Sequence, residues 1–270
     1  MSELTFPELA YRRDGAVGIV TLSNPARLNP ITAVMQTSLR ALLAQVAADA
    51  SVRALVITGA GRAFCSGADL NGLIPEDGTG RSKGQQTADA MHAMTNRLVL
   101  ELRALPLPVV CAVNGVAAGG GLGLALAGDV VLAARSAYFY LPFMAKLGIV
   151  PDVGSTWFYQ RLLGSGRATA LTLLGDRLPA EQAAAWGLVW QCVDDDALMG
   201  DALAIAHRLA LLPAHAALET RRAYDAAAGH SLAQQLHYEA ERQRELIDKP
   251  EFAEGVRAFL DKRQPDFPPR

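Results

Sequence analysis

The chain has 270 residues, 51% of them hydrophobic and 19% charged, with a formal net charge of −2. That balance excludes a disordered chain, and the near-neutral charge, with no basic stripe, argues against nucleic acid or a membrane surface as partner. Three cysteines without framework spacing (Cys65, Cys111, Cys192) read as free thiols, and the opening MSELTFPELAYRRDG has no basic segment leading into an apolar one, so a cytoplasmic location is expected.

The first strong signal is AVGIVTL, residues 16–22, short and β-branched, which predicts a strand stopped by an Asn-Pro pair. Asn29-Pro30 then predicts a helix start, with Asn29 as cap. Ile31, Val34, Met35, Leu39, Leu42 and Val46 recur at three and four, an amphipathic helix over about 31–48. RALVITG (53–59) and PVVCAVNG (108–115) have the unbroken apolar middles of buried parallel strands. Between them, the Gly-rich polar residues 75–90 predict a mobile surface loop. A helix is expected to begin in AAGGGLGLALAG and a strand to follow over 130–134. Residues 111–134 are the most apolar stretch, but Asn114, Asp129 and many glycines make them core rather than a membrane span.

Strands and helices alternate through residue 195, which predicts an α/β core. Residues 196–270 carry only helical periodicity. Phe252, Val256, Phe259 and Leu260 share a face there, spare apolar surface for the core or for a neighbouring subunit.

Several chemistries are excluded. GAGRAF (59–64) and GLGLAL (121–126) both lack the third glycine of a dinucleotide fingerprint. The chain has no P-loop, no HExxH pair among its five histidines, no metal-ligand spacing and no GxSxG elbow. Cys65 has no basic neighbour and reads as a small buried thiol.

Two glycine turns remain, GAGRAFCSGADL (59–70) and NGVAAGGGLGLALAGD (114–129), each leaving a buried strand. Such turns present free backbone N–H groups, and the second adds a helix N-terminus. Facing each other, they would form an oxyanion hole, each donor worth ~3 kcal/mol in a transition state. Taken singly, each could equally serve close packing.

Together with NPARLNPIT, GDVVLAARSAYF, LGIVPDVGST and EGVRAFLDKR, in order and across nearly the whole chain, these turns resemble the crotonase (enoyl-CoA hydratase/isomerase) superfamily. The resemblance implies a spiral of ββα units with a C-terminal helical oligomerisation region, a trimer or dimer of trimers, and an acyl-CoA thioester as substrate. It implies no separate cofactor, because coenzyme A is part of the substrate. It places the oxyanion donors at the amides of Ala68 and Gly120, and coenzyme A along Arg27, Leu28, Ser66, Ala68, Asp69 and Leu70. Lys262, from this or a neighbouring subunit, would meet the ribose phosphate, although a solvated helix end is an equal reading.

The two glutamates of family hydratases are missing. Gly123 stands at one position, and Pro142 is followed by Phe143 and Met144 at the other. Asp152 is the remaining acid. Its place before a helical stretch suits an N-cap, whereas in the superfamily the same position is a base or nucleophile in some isomerases and a dehalogenase. The passages LGIVPDVGSTW, AAAWGLVWQCVDDDAL and EGVRAFLDKRQPDF look most like 1,2-epoxyphenylacetyl-CoA isomerases. A single carboxylate that removes an α- or γ-proton and returns it elsewhere suffices for isomerisation. An apolar wall of Phe143, Met144 and Trp157, with Val150 and Phe158, would line the acyl pocket and raise the Asp152 pKa. The alternatives are a hydratase working through Asp152 alone, a covalent mechanism at Asp152, and a non-catalytic acyl-CoA-binding module.

Overall fold

A computed structural model describes residues 4–69 and 80–268. The chain opens with a hairpin, β1 (Leu4–Phe6) and β2 (Leu9–Asp14), and β3 (Val17–Leu22) continues it antiparallel. A 3-10 turn, Pro25–Arg27, leads to α1 (Ala33–Ala48). From there a repeating unit is visible. One long strand joins the main sheet, one three-residue strand joins a second sheet, and helix follows. The pairs are β4 (Ala54–Gly59) with β5 (Ala63–Cys65), β6 (Val109–Val113) with β7 (Val116–Ala118), and β8 (Val130–Ala134) with β9 (Tyr138–Tyr140). Their helices are α2 (Lys83–Ala90) and α3 (Asn96–Arg103), joined by a π turn, then α4 (Gly120–Leu126), then α5 (Ser155–Leu174), which is broken at Gly164.

The chain returns through β10 (Arg177–Pro179) and α6 (Ala180–Ala185) to β11 (Gln191–Val193). The main sheet has the order β1-β2-β3-β4-β6-β8-β11, parallel from β3 onward, and the second the order β10-β9-β7-β5. This is the expected ββα spiral. β4 and β6 are buried along almost their whole length, which explains their continuous Val/Ile runs. Among the described residues, no helix is long and apolar enough to cross a membrane.

The closing helices are α7 (Leu198–Ala210), α8 (Ala216–Ala227), α9 (Leu232–Ile247) and α10 (Pro250–Leu260). α7 packs on β3, β4, β6 and β8 through Ala202 and Ala206, so it is a layer of the core. α8 is tied down by Arg221. Its guanidinium, 6% exposed, pairs with both Asp129 oxygens and donates to the carbonyls of Arg103, Leu105 and Leu107. All five of its N–H donors are thereby used. Asp129 also accepts from Val109 N at 2.7 Å, so it is a junction between elements. α9 buries none of its residues, and Phe252, Phe259 and Leu260 of α10 are exposed.

Two expectations are corrected. Asn29 does not cap α1. Thr32 does, its hydroxyl accepting from Met35 N at 2.9 Å. Asn29 is instead 2% exposed with φ 53°, and its amide ties the chain to the carbonyls of Ala60, Ala63 and Phe64. Within the expected 75–90 loop, residues 83–90 form α2, capped by Ser82 on Gln85 N, while residues 75–79 lie outside the described residues.

Candidate active site

The two glycine turns touch. A methyl group built on Gly67 (φ 89°) would stand 2.6 Å from Ala118 O, 3.1 Å from Gly120 N and 3.3 Å from Gly119 Cα. The turn after β5 therefore packs directly on the start of α4. Among the described residues, neither Ala68 N nor Gly120 N donates to a backbone or side-chain acceptor. Gly120 opens α4, where an N–H has no partner within the helix. Two adjoining amides without internal partners can share one oxyanion.

A third segment closes the same spot. Ser66 N donates to Leu28 O at 2.9 Å, Ile31 N to Gly67 O at 2.8 Å, and Ile31 bridges Ala68. Arg27 pairs with Asp69 at 2.6 Å on the surface beside them. The fold thus gathers Arg27, Leu28, Ser66, Ala68 and Asp69. Leu70 lies outside the described residues. Lys262 follows the C-cap of α10, Asp261, with φ 54°, and no hydrogen bond or ion pair joins it to Arg27, Ser66 or Asp69 among the described residues.

Asp152 stands between Pro151 and the start of α5. It does not cap that helix. Gly154 occupies the N-cap position without a side-chain bond, and only the Asp152 carbonyl accepts from Ser155 N, at 2.9 Å. Its Oδ1 is buried without a hydrogen-bond partner, and a methyl on Gly120 would lie 3.6 Å from that oxygen. The carboxyl therefore points at the residue that carries the second free amide. Burial pushes its pKa above the ordinary carboxylate range. Val153 is the unusual neighbour: φ 53° on a β-branched residue, a conformation costing ~1–3 kcal/mol.

A family model described as enoyl-CoA hydratase/isomerase matches residues 12–270. The chain belongs to the enoyl-CoA hydratase/isomerase family. It is 44% identical over 249 residues to a 1,2-epoxyphenylacetyl-CoA isomerase of Escherichia coli, covering 92% of this chain and 93% of that one. A probable enoyl-CoA hydratase of Rhodobacter capsulatus is 38% identical, covering 98% and 99%. The crystal structure of an enoyl-CoA hydratase from Polaromonas sp. JS666 superposes with a TM-score of 0.88 at 30% identity, covering 96% and 99%. The architecture is the crotonase fold.

The resemblance puts the first hydratase glutamate at Gly123. At Gly123 a side chain would begin 2.1 Å from the Val153 carbonyl oxygen, so backbone fills the seat. Phe143 occupies the other place, buried, its ring 3.6 Å from a methyl built on Gly119.

The residues of the expected acyl wall do not share one cavity. Met144 and Val150 line a cavity of about 310 Å³ with Pro151, Ser155 and Tyr159. Trp157 is not part of it. The indole, 39% exposed, stacks under the Arg161 guanidinium at 3.8 Å and faces a different groove, with Arg103, Trp190 and Tyr224. The cause is helical phase. Residues 155, 156, 159 and 160 look one way and 157, 158, 161 and 162 the other.

Sequence reasoning misassigned Asn29 and missed Val153 and Glu8. Glu8 (φ 60°) fills the hairpin turn before β2, a position that usually favours Gly or Asn. Its carboxylate accepts from Asn24 Nδ2 at 2.8 Å and from the Thr32 hydroxyl, pinning both ends of the segment that carries Arg27 and Leu28. A glutamate in a Pro-Glu turn offered no local signal for that role.

Proposed function

We propose that this family member is an acyl-CoA isomerase with Asp152 as its only acid/base. The thioester oxygen accepts from the amides of Ala68 and Gly120, which stabilises the enolate. Asp152 removes a proton from the α- or γ-carbon, electrons move toward the thioester, and the same carboxyl returns the proton at another carbon, shifting the double bond. In a ring-epoxide thioester such as 1,2-epoxyphenylacetyl-CoA, the corresponding electron shift opens the epoxide toward an oxepin. The 44% identical isomerase supports that substrate class. Coenzyme A lies along Arg27, Leu28, Ser66, Ala68 and Asp69, with Lys262 meeting its ribose phosphate.

One observation carries this reading: a buried, unpartnered Asp152 oxygen beside Gly120, in a site whose hydratase glutamate seat is filled by backbone. The exposed apolar faces of α9 and α10 support assembly as a trimer or a dimer of trimers, measurable by light scattering.

The test is a turnover screen over a 3-enoyl-CoA, a 2-enoyl-CoA and the epoxide of phenylacetyl-CoA. Asp152→Asn preserves shape and removes the base, so kcat should fall 10²- to 10⁴-fold. Near-full activity of that variant would remove Asp152 from the mechanism. The second reading is a single-carboxylate hydratase, favoured by the 38% identical relative named as one. Conversion of crotonyl-CoA to a hydroxyacyl product, followed by loss of enoyl absorbance, would decide for it. A covalent intermediate at Asp152 would appear as an acyl-enzyme mass.

A further inference from the structure

Asp152 Oδ1 has no hydrogen-bond partner among the described residues, and the carboxyl bonds to its own backbone, so packing rather than a bond to a neighbour must aim it. The next residue is built to do so. Val153 is 5% exposed and holds a left-handed φ of 53°, followed by Gly154 at 74°. Glycine adopts such a backbone freely, whereas a β-branched residue does so only under constraint.

The constraint is α4. Val153 Cγ2 lies 2.7 Å from where a Gly120 methyl would stand, and its carbonyl oxygen 2.1 Å from where a Gly123 methyl would stand. Gly120 and Gly123 are three residues apart, on one face of the helix that opens with the Gly120 amide. Side chain and backbone of Val153 therefore lock into two gaps on that face at once. The same Gly120 position is 3.6 Å from Asp152 Oδ1.

We propose that Val153 is a positioning residue for the reaction: wedged between Gly120 and Gly123, it fixes the Asp152 carboxyl against the helix start that supplies an oxyanion donor. This deepens the isomerase reading and rests on it.

The test compares Val153→Ala and Val153→Gly with the unaltered protein and with Asp152→Asn, on the thioester turned over fastest in the screen above. Glycine relieves the left-handed strain that alanine keeps. Val153→Gly should therefore unfold at a higher temperature than Val153→Ala. Without the wedge, both should lose at least tenfold in kcat, the glycine variant the most, with KM changed less than threefold. Activity and stability would then run in opposite orders, which a merely structural role does not produce. Variants within threefold of the unaltered kcat, or a glycine variant both more stable and more active than the alanine one, overturn the inference. If Asp152→Asn is inert while the Val153 variants are unimpaired, only this inference falls. If Asp152→Asn stays active, the isomerase reading falls and takes this one with it.

Discussion

Replacing Gly67 by alanine probes the contact on which the paired amides depend. The added methyl would meet Ala118 O at 2.6 Å, Gly120 N at 3.1 Å and Gly119 Cα at 3.3 Å, all backbone atoms that cannot swing aside as a side chain would. Reaching ordinary contact at about 3.4 Å needs a shift of about 0.8 Å at the Ala118 carbonyl. Gly119 N is anchored to Tyr140 O at 2.9 Å, so the strain falls on the turns themselves. At φ 89° alanine adds a backbone cost of ~1–2 kcal/mol, and overpacking adds ~1–3 kcal/mol. For 270 residues an unfolding entropy of roughly 0.57 kcal/mol/K turns 2–5 kcal/mol into a Tm loss of about 4–9 °C. Parting the turns by most of an ångström misplaces one donor, so kcat should fall about 10²- to 10³-fold. Thermal unfolding and steady-state kinetics on one preparation measure both. A Tm loss with kcat within threefold of the starting protein would show that the turns pack together but their amides do no chemistry.

Other expectations test separate parts of the molecule. Arg221→Met strips three carbonyls and the partly buried Asp129 of their cation, and urea unfolding should report a loss of about 3–5 kcal/mol; less than 1 kcal/mol would mean that the tie between α8 and the core is dispensable. Because burial raises the Asp152 pKa, kcat/KM should fall on the acid side at a pH above the usual carboxylate value of 3.8. The folded carboxyl holds its proton more tightly than the unfolded one, so stability declines as pH rises from the unfolded pKa toward the folded one. Asp152→Asn should therefore melt higher than the unaltered protein at pH 7, and an equal or lower Tm contradicts this. Glu8→Ala frees both ends of the 24–32 segment, and the KM for a CoA thioester should rise several-fold; an unchanged KM, measured by titration at fixed enzyme, separates that tether from binding.

Much of this architecture is legible in the chain itself. The strand expected at 130–134 is β8, residue for residue, and those at 16–22 and 53–59 differ from β3 and β4 by one residue at the start. Their signal is strong because buried parallel strands are apolar on both faces. β5, β7 and β9 escape because three residues are too few to show a period. α2 escapes because polar KGQQTADA has no apolar stripe, and its placement comes from continuity through the π turn into α3. Asn29 misleads because capping logic is local while the carbonyls its Nδ2 donates to lie more than 30 residues away. Trp157 misleads because adjacency in sequence is not adjacency on a helix. Asp152 stands in between. Its residue type favours a cap over a base, and only the structure shows that Gly154 takes the cap position while the carboxyl lies beside Gly120.

The fit of Val153 against Gly123 also bears on how such a site could change over generations. A carboxylic acid at 123 would have to start where the 153 carbonyl already stands, 2.1 Å away. The 151–154 bend would have to be remade before the newcomer could be accommodated, and remaking it would release the acid already present. A change that puts an acid at 123 must therefore come with a remade 151–154 bend, several codons altering together.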